Sequence, residues 1–335
     1  MLAASDSAAA ATDGKRSARI EMCVGTGSML SVARDCNRAV SSTMTSRRPR
    51  IEEVPVDRRS AIRALAAFAA APLITSPGLW NAPRRKLDRI GLALYTIRDI
   101  TSRDYERALQ QVAEIGYRDV DMYIYDAKRE PAATRAMLDR AGLACPSARV
   151  ATPALYRGWD RFLDAANTLG AHWITLANVP YEERLSLQDW HELADVLNKA
   201  GAAARSRGLT LCYHNHSFEL EEMQSAIPLD LLLASTEPAL LRLQMDVYWM
   251  TRGGRDPAAE IRRLGSRVAT LHLKDMEAGP GRGITTVGRG TIDFKAILAA
   301  AADANVPHYF VEEDAPADPM AAIRASYAHL ARLDF

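Results

Sequence analysis

Short apolar runs and amphipathic helical stretches alternate along the chain from Ile90 onward. This alternation predicts parallel strands separated by helices. The predicted strands are Ile90–Tyr95, Asp119–Tyr123, Cys145–Val150, Trp173–Leu176, Thr210–His214, Leu243–Asp246, Val268–Leu273 and Tyr309–Glu312. The predicted helices are Tyr105–Ile115, Pro131–Ala141, Gly158–Leu169, Leu187–Ser206, Pro228–Ala234, Pro257–Leu264, Phe294–Ala304 and Pro319–Leu333. Eight such units over residues 90–335 match a closed (β/α)₈ barrel, the TIM barrel, which takes about 250 residues.

A doubly wound open sheet is the competing architecture for the same alternation. It is expected to carry a glycine-rich phosphate-binding turn after its first strand. The segment Thr96-Ile97-Arg98-Asp99 at that place contains no glycine. The closed barrel is therefore the predicted fold class.

Residues 1–89 are predicted to be a disordered leader that carries a signal, separate from the barrel of residues 90–335. Arg58 and Arg59 precede an Ala-rich apolar run over residues 64–74. Adjacent arginines before a short, weakly hydrophobic core resemble a twin-arginine signal, which exports folded proteins. We expect a signal over residues 57–80, engagement of the twin-arginine (Tat) machinery and a periplasmic or otherwise exported location. The alternative is a poorly ordered extension on a cytoplasmic protein.

The composition is that of a soluble globular protein, with 48% apolar and 25% charged residues. No run reaches the roughly 18 uninterrupted apolar residues that indicate a membrane span. The net charge of +1 conceals an asymmetry, since residues 1–89 hold fifteen basic and eight acidic side chains and the remainder holds 27 and 33. An acidic barrel is a poor partner for a phosphate backbone, so nucleic acid is not an expected partner.

Polar residues stand at the ends of the last four predicted strands, where the active sites of such barrels lie. Strand alternation places His272 inside the barrel, because its neighbours Leu271 and Leu273 face the helices. The four inward groups are His214, Asp246, His272 and Glu312. Two imidazoles and two carboxylates are a suitable set for one divalent ion, and Mn²⁺, Zn²⁺, Co²⁺ and Fe²⁺ all accept it. Taken singly, each residue has a structural alternative, such as a hydrogen-bonded histidine or a helix-capping aspartate.

The motifs around these residues resemble the sugar phosphate isomerase/epimerase family of xylose isomerase-like TIM barrels. The segments that carry the resemblance are Leu94-Tyr95-Thr96-Ile97-Arg98-Asp99, Tyr213-His214-Asn215-His216-Ser217-Phe218-Glu219, Met245-Asp246-Val247-Tyr248-Trp249, Leu271-His272-Leu273-Lys274-Asp275-Met276, Val287-Gly288-Arg289-Gly290-Thr291-Ile292-Asp293-Phe294 and Val311-Glu312-Glu313-Asp314. The resemblance runs from about residue 90 to the end of the chain.

The resemblance implies a metal-dependent enzyme that acts on carbohydrates or polyols. Asp246, His272 and Glu312 match the family's ligands on strands six, seven and eight. Strand five carries His214 where the epimerases carry a glutamate that also moves the substrate proton. A metal site survives this exchange, whereas epimerisation by two carboxylates is not expected.

The expected substrate is an unphosphorylated sugar, polyol or keto-glycoside, because export and an acidic barrel both argue against a sugar phosphate. The expected reaction is isomerisation, epimerisation or a lyase reaction on 3-keto-glycosides, by proton abstraction next to a carbonyl. The alternative is an exported sugar-binding barrel without catalysis.

Candidate roles follow from position. Lys274, His216 and Glu312 are the predicted catalytic residues, and a Lys274 near a cation is expected to have a lowered pKa. An ion pair of Lys274 with Asp275 or a neighbouring carboxylate is the structural alternative. The predicted substrate-binding residues are Tyr95, Asp121, Tyr248 and Trp249.

Overall fold

The computed structural model describes residues 85–125 and 129–335, in which eight parallel strands close into a barrel. The strands are β1 (Gly91–Ala93), β2 (Asp119–Tyr123), β3 (Ala144–Val150), β4 (Trp173–Leu176), β5 (Thr210–His214), β6 (Leu241–Asp246), β7 (Val268–Leu273) and β10 (His308–Val311). A short hairpin of β8 (Asp275–Met276) and β9 (Ile284–Thr285) follows β7. The barrel strands neighbour one another in chain order, and β10 closes the ring by pairing with both β7 and β1.

Helices follow the strands as the amphipathic pattern predicts. They are α1 (Tyr105–Ile115), α2 (Pro131–Ala141), α3 (Trp159–Leu169), α4 (Leu187–Ser206), α5 (Pro228–Ser235), α6 (Pro257–Leu264), α7 (Phe294–Asp303) and α8 (Pro319–Leu330). Side chains accept backbone N–H groups at several helix starts; Ser186 and Asp189, for example, form a reciprocal capping box at α4. The predicted (β/α)₈ fold is confirmed.

The apolar core lies between the barrel and its helices. Outward-facing strand residues such as Leu211, Leu243 and Leu271 are fully buried there. The interior of the barrel is instead polar, whereas bulky branched side chains usually fill it. Buried polar groups are costly unless they find partners, so this interior indicates a functional site. Its buried polar residues include Asp121, Ser147, Arg149, Thr175, Gln244 and Thr270.

The structure departs from the expected element bounds at the first strand and after the seventh. Strand β1 ends at Ala93, and the residues predicted to continue it, Leu94 and Tyr95, begin a 3₁₀ turn that extends to Ile97. Leu94 is buried in that turn, so its apolar character does not distinguish a turn from a strand. The β8–β9 hairpin had no counterpart in the strand prediction.

The signal predicted over residues 57–80 lies outside the described residues. None of the helices in the described ranges combines the length and apolar character needed to cross a membrane.

Candidate active site

Four polar side chains from consecutive strands converge at the carboxyl-terminal mouth of the barrel. His214 ends β5, Asp246 ends β6, His272 lies in β7 and Glu312 follows β10. All four are buried, and one ligand atom of each lies within 4.8 Å of those of the other three. Asn215 fixes part of this arrangement, because its Oδ1 accepts the backbone N–H of Asp246 at 3.0 Å.

His272 bridges two carboxylates. Its Nε2 lies 2.9 Å from Oδ2 of Asp121, and its Nδ1 lies 2.9 Å from Oε2 of Glu312. Burial by itself lowers the pKa of His272, but Glu312 and Asp121 together raise it to about 9. The ring is therefore an imidazolium at neutral pH unless another cation takes the place of a proton.

Glu312 is the centre of the charge network. Besides His272, it contacts Arg149 Nη1 at 2.9 Å and Lys274 Nζ at 2.9 Å. Burial opposes ionisation, yet Lys274, His272 and Arg149 hold the pKa of Glu312 well below its usual range. Glu312 is therefore a stable carboxylate suited to binding cations and a weak base for its predicted catalytic role.

His214 and Asp246 provide the test of whether a metal ion fits. Burial, followed by the neighbouring His272 and Arg149, lowers the pKa of His214 well below its usual value, so the ring is neutral. Its Nδ1 is buried without a hydrogen-bond partner among the described residues. Asp246 uses Oδ1 to cap the backbone N–H of Trp249, while its buried Oδ2 accepts no well-directed hydrogen bond there.

The unpartnered His214 Nδ1 and Asp246 Oδ2, whose one ion-pair partner among the described residues is Lys274 at 3.2 Å, fit a divalent cation. A neutral imidazole and carboxylate oxygens are the ligands that Zn²⁺, Mn²⁺, Co²⁺ and Fe²⁺ accept. Asp121 adds the expected outer contact, since a carboxylate that binds one ring nitrogen of a histidine turns the other toward a metal. The residues that would hold an ion are the four that the sequence indicated, and all four metals accept this set of ligands.

Lys274 is surrounded by three carboxylates. Its ammonium lies 2.7 Å from Asp314 Oδ1 and 3.2 Å from Asp246 Oδ2, in addition to its contact with Glu312. Burial lowers the pKa of Lys274, but these three carboxylates outweigh it and raise the pKa above its usual value. In this structure Lys274 is therefore a charged hydrogen-bond donor, and the lowered pKa expected beside a cation stays a prediction for the metal-loaded site.

Asp275, the other partner considered for Lys274, is engaged elsewhere. Its two oxygens accept the backbone N–H groups of Met276, Gly288, Gly290 and Ile292. A Cβ on Gly290 would lie 2.3 Å from Asp275 Oδ1, so only glycine allows this close approach. Asp275 therefore anchors the loop that follows the β8–β9 hairpin.

His216 lies beside the four converging residues on the cavity wall. Its ring is 5.0 Å from that of His214 and is stacked on Phe218 at 5.4 Å. The buried Glu219 fixes this segment, because its Oε2 accepts the backbone N–H of His216 at 2.8 Å and its Oε1 accepts the Tyr213 hydroxyl. Nδ1 of His216 has no hydrogen-bond partner within the described ranges.

A cavity of about 170 Å³ opens above these groups. Of the four predicted substrate-binding residues, Tyr95 lines it. The Tyr248 hydroxyl donates instead to the Arg282 carbonyl oxygen at 2.9 Å, and Trp249 lies near the rim with its ring 5.5 Å from Lys274 Nζ. Asp121 is placed differently from the prediction, because its side chain is fully buried against His272 and is absent from the cavity wall. In this structure Asp121 positions His272.

Three residues of the site were not singled out from the sequence. Arg149 lines the cavity and pairs with Glu312, Asp314 holds Lys274, and Glu219 holds His216. Strand parity was the available signal for Arg149, because it shares the inward face of β3 with Ser147. Asp314 and Glu219 lie beyond strand ends, where no periodicity indicates direction.

Comparison with known proteins identifies the fold family. The model of the xylose isomerase-like TIM barrel family matches residues 109–333, which is more than half of the chain. The chain belongs to the xylose isomerase-like TIM barrel family. The resemblance inferred from the strand-end motifs is thereby confirmed.

Proteins similar in sequence to this chain are named as enzymes. It is 26% identical over 266 residues to an inosose dehydratase from Geobacillus kaustophilus, which covers 68% of this chain and 85% of that protein. It is 32% identical over 164 residues to an inosose dehydratase from Clostridium perfringens, which covers 44% of this chain and about half, 54%, of that protein.

Solved structures show the same fold. A sugar phosphate isomerase/epimerase from Parabacteroides distasonis superimposes with a TM-score of 0.65 at 22% identity, over 73% of this chain and 96% of that one. An L-ribulose 3-epimerase gives a TM-score of 0.57 at 18% identity, over 72% and 93%. The named relatives confirm the prediction of an enzyme, and they support a sugar-acting isomerase, epimerase or lyase.

Proposed function

We propose that this barrel is a metal-assisted isomerase, epimerase or lyase that removes a proton next to a carbonyl group of a sugar, polyol or keto-glycoside. The observation that carries the proposal is the convergence of two imidazoles and two carboxylates beside Lys274 and His216 at one cavity. The relatives named inosose dehydratase support a carbocyclic or sugar-like substrate. A divalent ion held by His214, Asp246, His272 and Glu312 supplies Lewis-acid polarisation of a carbonyl.

The cavity offers one base and one acid. His216 lines the cavity and is our candidate to accept the proton from carbon; its Nδ1 is buried 3.9 Å from Glu219 Oε1, so the base would be the other ring nitrogen, Nε2. Lys274 is charged and faces the same cavity, so it donates a hydrogen bond or a proton to a substrate oxygen. The positive charge of Arg149, whose Nη1 lies 2.9 Å from Glu312 Oε1, favours the ionised form of Glu312.

This pair favours an elimination over a two-base epimerisation. The C–H electrons form the new double bond as His216 takes the proton, and the C–O bond to the neighbouring oxygen breaks. Lys274 donates a proton to that leaving oxygen, so an unsaturated ketone and a free hydroxyl compound are formed. Glu312 is a poor second base, because its positive neighbours keep its pKa low.

The test combines metal removal with an isotope label. The protein is treated with a chelator, reloaded with Mn²⁺, Zn²⁺, Co²⁺ or Fe²⁺, and supplied with ketoses, inososes and 3-keto-glycosides deuterated beside the carbonyl. We expect turnover only after reloading, with loss of the label to water detected by NMR. Retention of the label in every product would contradict proton abstraction at that carbon.

Two histidine variants sharpen this test. His216→Gln should reduce turnover about 10²- to 10⁴-fold, the usual contribution of a positioned general base. His191→Gln, at an exposed position of α4, should leave turnover within twofold. Equal rates in the two variants would remove His216 from the mechanism. Ligand binding with no turnover of any substrate would favour the sugar-binding alternative.

We also propose export through the twin-arginine machinery, on the basis of Arg58, Arg59 and the apolar run that follows them. Arg58→Lys combined with Arg59→Lys should trap the precursor in the cytoplasm. Arg84→Lys combined with Arg85→Lys, beyond the apolar run, is the matched control and should leave export unchanged. Normal export of the first variant would overturn the assignment.

A further inference from the structure

A second depression adjoins the catalytic cavity. This groove has a volume of about 530 Å³ and shares Tyr123 and Arg149 with the cavity of about 170 Å³. It lies at the carboxyl-terminal ends of β2 and β3, where barrel enzymes bind their substrates. The two spaces are therefore neighbours that share the side chains of Tyr123 and Arg149.

The groove has different chemistry from the cavity. Its walls include the rings of Tyr125 and Phe162, which meet edge to face with centroids 5.4 Å apart, together with Pro153 and Ala154. The Arg161 guanidinium lies 5.0 Å from the Tyr125 ring centre and covers that end of the groove. Lining by aromatic and aliphatic groups with few polar partners suits a flat apolar group and does not suit a hydroxylated sugar ring.

Arg149 marks the junction of the two spaces. Its Nη1 is used by Glu312, its guanidinium carbon lies 5.4 Å from the Tyr123 ring centre, and its buried Nε has no hydrogen-bond partner among the described residues. Charged groups such as Lys274 and Glu312 lie on the cavity side of Arg149, and the rings of Tyr125 and Phe162 lie on the groove side.

We propose that the groove is a subsite for an aromatic substituent of the substrate. The substrate class is then an aryl-bearing sugar derivative, with its sugar part in the catalytic cavity and its aryl group against the groove wall that Tyr125, Phe162 and Arg161 form. A free sugar would fill only the cavity, which is smaller than the usual ligand pocket of about 300 Å³ or more. The identity of the sugar part rests on the proposed function, whereas the subsite rests on the groove.

Binding of unreactive glycosides tests the subsite without turnover. Phenyl β-D-glucoside and methyl β-D-glucoside are titrated into the full chain by calorimetry, and we expect the phenyl compound to bind at least tenfold more tightly. Ala151→Trp fills the groove from an exposed position on its wall and should reduce that preference to within twofold. Ala202→Trp, exposed on α4, is the matched control and should retain it.

The outcomes separate this proposal from the proposed function. Equal affinity for the two glycosides, binding of neither, or equal weakening of both by Ala151→Trp overturns the subsite. A phenyl preference that Ala151→Trp abolishes supports the subsite even if no ketone substrate is consumed, in which case the proposed function alone fails. Turnover of unsubstituted ketoses without any phenyl preference leaves the proposed function and removes the subsite.

Discussion

Asp121 holds His272 in place, with Oδ2 of the carboxylate 2.9 Å from Nε2 of the imidazole and both side chains fully buried. The contact fixes which ring nitrogen faces the mouth of the barrel, because Nε2 is occupied and Nδ1 points at Glu312. A carboxylate behind a histidine ligand raises the basicity of the ring and orients it. This relationship makes Asp121 a positioning residue for the proposed metal site.

Asp121→Asn should therefore weaken metal binding about 10- to 100-fold, the usual effect of removing such an outer contact. The amide is nearly the same size, so the barrel should remain folded. Competition with a chromophoric chelator measures the affinity. Asp119→Asn, on the same face of β2 but paired with Arg89 and His308, is the matched control and should bind metal normally. Equal affinities for Asp121→Asn and wild type would show that His272 does not need Asp121.

The alternation of inward and outward side chains along the strands was sufficient to place the four convergent residues. It does not predict which charged groups meet inside the barrel. Leu271 and Leu273 face the helices, so His272 between them must face the interior. The same parity puts Arg149 inside, where two charged partners, Asp121 and Glu312, offset its burial. Read singly, however, an arginine in a strand gives no indication of partners that lie 28 and 163 positions away in the chain.

The partner of Lys274 could not be chosen from sequence. Asp275 is its chain neighbour, yet that carboxylate is saturated by backbone N–H groups of residues 276–292. Asp314 lies 40 positions away and reaches Lys274 only because β10 closes the barrel against β7. Strand parity gives the face of a side chain, but loop geometry beyond the strand ends determines which charges meet.

Metal binding should release a proton from His272. The pKa of this group is about 9 without an ion, because Glu312 and Asp121 outweigh the effect of burial, so at pH 7 the ring must lose a proton before Nδ1 can bind metal. Apparent affinity should thus rise about tenfold per pH unit up to about pH 9. Calorimetry in buffers of different ionisation enthalpy should give about one proton released per ion at pH 7. A release of zero would mean that His272 is not a ligand.

Lys274→Met should destabilise the metal-free protein and increase the stabilisation that it gains when it binds metal. Removing the ammonium leaves Asp246, Glu312 and Asp314 without that counter-charge, and breaking a buried ion pair costs about 3 kcal/mol or more. A divalent ion offsets this repulsion, so the metal-induced rise in Tm should exceed that of wild type. Lys295→Met, exposed on α7, should behave as wild type in both measurements. An unchanged Tm for metal-free Lys274→Met would show that its ion pairs do not stabilise the fold.

The opposite end of the barrel carries an acid-sensitive contact. Asp119 at the start of β2 pairs with Arg89 and lies 3.3 Å from His308 Nδ1. Burial raises the pKa of Asp119, but His308 and Arg89 together lower it below its usual value. A carboxyl whose folded pKa is depressed stabilises the protein above its unfolded pKa of about 3.9, and this stability is lost as pH falls through the folded value.

Asp119→Asn should accordingly lower the free energy of unfolding by about 1 kcal/mol at pH 6, where a partly exposed ion pair has its usual small effect. The difference from wild type should shrink as pH is lowered below about 4, because Asp119 then becomes protonated in the unfolded chain and next in the folded one. Urea unfolding at several pH values measures the difference in free energy of unfolding at pH 6 and its decrease on acidification. A difference that grows on acidification would contradict the assignment to Asp119.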